Sequence, residues 1–119
     1  MKKLGFGLMR LPLSDPSDNS CIDIGRFCAL ADEFIARGFT YFDTAVMYHF
    51  GASESAFREA VVKRYPRDAY TITDKLSIFK IDKKEDMPAF FDKQLADLGV
   101  DYIDVYLLHA VDSEIYQQA

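Results

Sequence analysis

Residues 38–48 read Gly38-Phe-Thr-Tyr-Phe-Asp-Thr-Ala-Val-Met-Tyr48, a helix stop running straight into a strand and a loop. Gly38 is a helix stop, because a left-handed residue just past the last helical turn suits glycine best. Thr40 to Thr44 follows at once with β-branched and aromatic residues, the composition of a strand. Upstream, Ile24, Phe27, Cys28, Ala31, Phe34 and Ile35 recur at the spacing of one apolar helical face. Ser20 is the expected N-cap of that helix. Leu11 to Ser20 is rich in Pro, Ser and Asp and reads as a loop. Leu4 to Met9, an apolar run with Gly5 and Gly7, reads as a strand.

Downstream the alternation continues. A second helix is expected from Ser53, with Phe57, Ala60 and Val61 inward, stopping before Pro66. Tyr70 to Thr73 is the next strand. Lys83 to Leu98 reads as a third helix with Phe90, Phe91, Leu95 and Leu98 as its stripe and Gly99 at its stop. Tyr102 to Leu108 is the last strand. Strands alternating with helices imply an α/β protein built of right-handed βαβ units on a parallel sheet. Asp43 to Lys75 is 32 residues and Lys75 to His109 is 34, each about one βαβ repeat of roughly 30 residues.

That period has a chemical consequence. Asp43 falls near the end of the second strand, Tyr48 in the loop beyond it, Lys75 at the end of the third strand and His109 at the end of the fourth. In a parallel βα barrel all strand C-termini open on one face, where (β/α)8 enzymes keep their active sites. The four residue types suit reduction of a carbonyl. The oxygen that gains negative charge needs a proton, which Tyr48 can supply. The reference tyrosine pKa of about 10 is high for that task, and a neighbouring ammonium lowers it. Lys75 can be that ammonium, Asp43 can hold it, and His109 can orient the carbonyl. Taken singly, each residue has a plainer role: a turn cap for Asp43, a rim aromatic for Tyr48, a solvated lysine for Lys75, a core histidine for His109. Their joint order at three successive strand ends favours the catalytic role.

The segments GFTYFDTAVMY, TITDKL and DYIDVYLLHA resemble those that carry Asp, Tyr, Lys and His in the aldo-keto reductases, and MKKLGFGLMRLP resembles the opening strand of that family. The likeness runs along almost the whole chain. It is greatest to the bacterial branch that often appends a C-terminal iron–sulfur domain. It implies reduction of an aldehyde or ketone, a small-molecule substrate, by NADPH or NADH. By the same resemblance Gly7 and Met9 lie near the nicotinamide end of the cofactor with Asp43, although tight packing is an equal explanation for Gly7. Two departures stand out. The loop Tyr48-His49-Phe50-Gly51-Ala52-Ser53-Glu54 is longer or shifted, and Asp74 stands where a neutral residue is common. Strand alternation points Asp74 away from Lys75. His49 is expected to be a solvent-exposed loop residue.

A complete barrel needs about 250 residues; residues 1–119 are expected to be its N-terminal half, strands one to four. In the family the later strands and loops hold the carboxamide and the adenosine phosphate. A half-barrel has open edges, and its inner face, with Phe6, Phe42 and Tyr106, lacks an opposing wall. Self-association or pairing with a C-terminal half is therefore expected. Two other readings stay open: a barrel aldolase using Lys75 as a Schiff-base amine, and a non-catalytic remnant or interaction module.

Bulk properties narrow the classes. The formal charge is -5, and without a basic cluster nucleic acid and anionic lipid are poor partners. Arg10 and Pro12 interrupt any signal-peptide core and no run reaches transmembrane length, so a cytoplasmic place is expected. Cys21 and Cys28 lack metal spacing and read as two small helix residues in a reducing compartment. No metal site is expected.

Overall fold

In a computed structural model, which describes residues 3–77 and 80–109, four strands form one parallel sheet in the order β1-β2-β3-β4. The strands are β1 (Gly5–Gly7), β2 (Tyr41–Asp43), β3 (Thr71–Leu76) and β4 (Val105–Leu108). Between them run α1 (Ile24–Ala36), α2 (Ser53–Phe57, continuing through a π-helical turn, Arg58–Val62) and α3 (Met87–Leu98). Strands adjacent in sequence are adjacent in the sheet, the arrangement of consecutive strands in a βα barrel.

The helix ends have identifiable causes. Asp23, not Ser20, caps α1: its Oδ1 accepts from the Arg26 N–H at 3.1 Å. The Ser20 hydroxyl and N–H are already taken by Asp18 Oδ1, at 2.6 and 2.9 Å. At the other end Gly38 takes φ 88°. The Phe39 N–H then bonds Phe34 C=O and the Gly38 N–H bonds Ile35 C=O. That is a Schellman stop with its apolar contact, the Phe34 and Phe39 rings stacking at 5.2 Å. α3 starts at Met87 with Pro88 in its first turn; the residues from Lys84 to Asp86 form a separate 3-10 turn. Gly99 ends α3 at φ 75°.

The strands are shorter than their composition suggests, because a parallel strand lasts only where its neighbour overlaps it. β4 begins at Val105 rather than Tyr102. At Asp104 a carboxylate oxygen takes the Ile72 N–H at 2.7 Å, where a strand carbonyl would otherwise pair. β3 is longer than expected and carries Lys75 within it.

Phe6, Phe42 and Ile72 are cross-strand neighbours, and all three face the helices. Phe6 lies 5.8 Å from Phe27 and 5.4 Å from Phe34 of α1, ring to ring. Phe42 lies 5.1 Å from Phe57 of α2. Tyr106 also points to the helix side, edge-on to Phe91 of α3 at 4.9 Å. This corrects the assignment of Phe6, Phe42 and Tyr106 to an inner face. Alternation separates two sets of side chains without saying which set meets the helices, and in a barrel both sets are apolar enough to be buried. The inner set is Tyr41, Asp43, Thr73, Lys75, Val105 and Leu107. Cys28 lies on α1, whereas Cys21 precedes it, donating its thiol to Asp18, so Cys21 is not a helix residue. Among the described residues no helix is long and apolar enough to cross a membrane.

Candidate active site

Asp43 is the last residue of β2 and Lys75 the fifth of β3. Both belong to the inner set, so their side chains share one space. Lys75 Nζ donates to Asp43 Oδ1 at 2.9 Å and to the Thr44 carbonyl at 2.8 Å. The lysine side chain is 11% exposed, so this ion pair is shielded from water far more than a surface pair. The Thr44 carbonyl was not foreseen as a partner; a backbone group leaves no trace in residue type.

Tyr48 opens the 3-10 turn Tyr48–Gly51 just past β2. Its ring centroid is 4.9 Å from Lys75 Nζ. The His109 ring stands edge-on to it, 5.9 Å away at 86°. His109 follows β4, its N–H donating to Leu76 C=O at 3.0 Å. Burial, and after it the Lys75 ammonium, hold this imidazole below the usual histidine range, so it is neutral at neutral pH. The structure thus brings Asp43, Tyr48, Lys75 and His109 together at the C-terminal ends of β2, β3 and β4.

Gly7 ends β1 opposite Asp43. A side-chain carbon added there would meet nothing within 4 Å. Packing among the described residues therefore does not require glycine at this position. Met9, two residues on, is 57% exposed.

His49 departs from expectation. It is buried, its Nε2 accepting from the Leu11 N–H at 2.9 Å and its Nδ1 lying 2.7 Å from the Asn19 carbonyl. The ring ties the loop after β1 to the turn that Tyr48 opens after β2. His49 and Phe50 both adopt φ 54°, a left-handed conformation costing roughly 1–2 kcal/mol per residue. The two imidazole hydrogen bonds offset that cost. Replacing His49 with Ala leaves the Leu11 N–H and Asn19 C=O without these partners. The expected loss is about 2 kcal/mol of unfolding free energy in urea; a loss below about 0.5 kcal/mol would show that the imidazole does not hold these loops.

Asp74 points away from the space that Asp43 and Lys75 share, as alternation required. What residue type concealed is the company it keeps: Glu54 and Gln94 are buried beside it. A glutamate at a helix start and a glutamine in an amphipathic helix both read as surface residues. The faint signal was Gln94 itself, which falls inside the apolar stripe of Phe90, Phe91, Leu95 and Leu98.

The sequence model of the aldo/keto reductase family matches residues 3–118. The chain is 32% identical over 126 aligned positions to the probable aldo-keto reductase 1 of Glycine max, covering 97% of this chain and 34% of that protein. Among solved structures, an aldo-keto reductase from Klebsiella pneumoniae in complex with NADPH is 25% identical with a TM-score of 0.70, covering 95% of this chain and 38% of that one. The thermostable aldo-keto reductase Tm1743, solved with the inhibitor epalrestat, is 27% identical with a TM-score of 0.68, covering 94% and 39%. The chain therefore spans about a third of the length of these relatives. With that sequence match laid over four parallel strands in barrel order, the chain belongs to the aldo/keto reductase family.

Proposed function

We propose that this chain is the N-terminal half of a (β/α)8 barrel and supplies the proton-donating, carbonyl-orienting side of an NAD(P)H-dependent reductase of aldehydes or ketones. The observation that carries this reading is the Lys75 ammonium, fixed between Asp43 and the Thr44 carbonyl and 4.9 Å from the Tyr48 ring. Tyr48 gives its phenolic proton to the carbonyl oxygen of the substrate. Lys75 stabilises the tyrosinate left behind. His109, neutral, directs a ring N–H to the same oxygen and orients it. Asp43 keeps Lys75 aimed. An ammonium already donating to a carboxylate and a carbonyl is not a free amine nucleophile, which argues against the Schiff-base alternative.

The residues present fit a nicotinamide. The open space before Gly7, on the strand beside Asp43, leaves a flat ring room to approach the Tyr48–His109 pair. The NADPH bound by the Klebsiella relative supports the same cofactor class. When bound, the reduced ring supplies the hydride. Gly7, Met9 and Asp43 would border it.

The expected result for the chain by itself is weak or undetectable NADPH binding and no turnover. The four side chains act on the reacting end, whereas cofactor affinity comes mainly from the phosphate loops of the later strands. Joined to strands five to eight, the same residues should consume NADPH with simple aldehydes. The measurements are NADPH fluorescence titration with light scattering on the same sample, and NADPH absorbance with the joined protein. Micromolar binding by a monomer of this chain would overturn the account of the missing half. No NADPH consumption by a folded, joined protein across simple aldehydes and ketones would overturn the reductase reading.

A further inference from the structure

Behind Lys75, on the helix side of β3, lies a second set of ionisable groups that the proposed reaction does not use. Asp74 is completely buried and Glu54, in the first turn of α2, is 1% exposed. Gln94 of α3 and Tyr106 of β4 close the cluster. Gln94 Nε2 donates to Glu54 Oε2 at 3.2 Å and to the Lys75 carbonyl at 2.9 Å, and the Tyr106 hydroxyl donates to Gln94 Oε1. Asp74 Oδ1 accepts from the Lys75 N–H at 2.8 Å.

Lys75 needs these partners. The Thr73 carbonyl points toward β2, where the Thr44 N–H meets it. Backbone groups two residues apart on a strand point the same way, so the N–H and C=O of Lys75 also aim toward β2. The β2–β3 ladder has ended by then, at Asp43 and Thr73. Buried backbone groups without partners are costly. Here Asp74 and Gln94 satisfy them in place of a strand, and so fix the stem of the side chain that reaches Asp43.

One feature of the cluster demands a proton. Glu54 Oε1 and Asp74 Oδ2 are buried, and neither accepts from an N–H or O–H outside the pair. The two carboxyls are nevertheless hydrogen-bonding partners of one another. Two ionised carboxylates cannot bond to each other, whereas a carboxylic acid and a carboxylate can. We propose that Glu54 and Asp74 form a buried carboxylic acid–carboxylate pair sharing one proton, and that with Gln94 this pair is the positioning device for Lys75. The importance of that positioning rests on Lys75 being the charge beside Tyr48.

The surrounding groups agree with a single proton. Burial, then the Asp74 carboxyl beside it, push Glu54 up to about 10, with Asp97 of α3 adding to the rise and the Gln94 hydrogen bond opposing it. Burial raises Asp74 as well, against its hydrogen bonds to Glu54 and the Lys75 N–H and the Lys75 ammonium; Asp43, beyond the strand, adds to the rise. Tyr106 is raised by burial and by both carboxyls, so it remains a donor. Lys93 of α3 is the other cation that senses Glu54. Burial raises both carboxyls, so the pair is expected to hold one proton between them at neutral pH.

The test needs no turnover. In the folded protein carrying 13C-labelled side-chain carboxyls, NMR should find one carboxyl of the pair protonated through neutral pH and titrating near 10. Glu54→Gln replaces the acid by an amide that still donates to Asp74 and still accepts from Gln94. It should abolish that titration while keeping the Lys75 amide protected from exchange within a few-fold of the parent. Glu54→Leu removes both bonds, and Lys75 amide exchange should quicken by about tenfold or more. Both carboxyls of the pair titrating in the ordinary carboxylate range of the folded protein would overturn the shared proton. Parental Lys75 protection in Glu54→Leu overturns the positioning role. If Glu54→Leu does not fold, the titration of the unaltered protein and the Glu54→Gln exchange decide. A reductase reading that failed in the absorbance assay would leave all of these readouts standing.

Discussion

Tyr48→Phe, in the chain joined to strands five to eight, is expected to lower kcat for NADPH-dependent aldehyde reduction by about two to four orders of magnitude, the usual contribution of a positioned general acid. The phenyl ring keeps the edge contact with His109 and the face presented to Lys75; only the proton is lost. Cofactor affinity and fold should therefore change little, so kcat and kcat/KM fall together. Turnover within a few-fold of the parent would remove Tyr48 from the proton-donating role, whatever the fate of the other three residues.

The second large effect is on stability. Phe42→Ala should destabilise the chain by about 3–5 kcal/mol, the usual cost of truncating a buried phenylalanine. Phe42 is 1% exposed and its ring touches those of Phe6, Phe34 and Phe57 at 5.5, 5.1 and 5.1 Å. It joins β1, α1 and α2 in one aromatic cluster, so no neighbour can relax into the space without leaving another. Domains of this size are stable by only about 5–15 kcal/mol, so the midpoint in urea should fall steeply. The control is Leu107→Ala on the opposite face of the sheet. Leu107 is 44% exposed, and its truncation should cost under about 1 kcal/mol in this chain. Equal costs for the two would mean that the helix side is not the core.

Much of the fold is legible in the sequence. The order of elements follows from apolar spacing, which changes between helical and strand periods, and from Gly38 and Gly99 at the helix stops. The approach of Asp43, Tyr48, Lys75 and His109 follows from strand ends separated by one βαβ repeat. The outward turn of Asp74 follows from alternation alone. These are local or one-dimensional properties: period, stop signal, parity along a strand.

Other features depended on what meets what across the fold. Parity separates Phe6 and Phe42 from Asp43 and Lys75, but only the packing of Phe27, Phe34 and Phe57 tells which set faces the helices. Asp23 displaced Ser20 as a cap because Asp18 had already claimed the Ser20 hydroxyl. His49 lost its place in solvent because two loop backbone groups, thirty or more residues upstream, needed partners. Glu54, Asp74, Gln94 and Tyr106 read separately as surface or strand residues. They became one buried network because β2 ends before β3 does, and the backbone of Lys75 had to be satisfied from the helix side. The family resemblance, the alternation and the four residues at the strand ends can all be read along the chain. The buried polar partners cannot, since a hydrogen bond between distant residues is set by three-dimensional proximity and leaves no period along the chain.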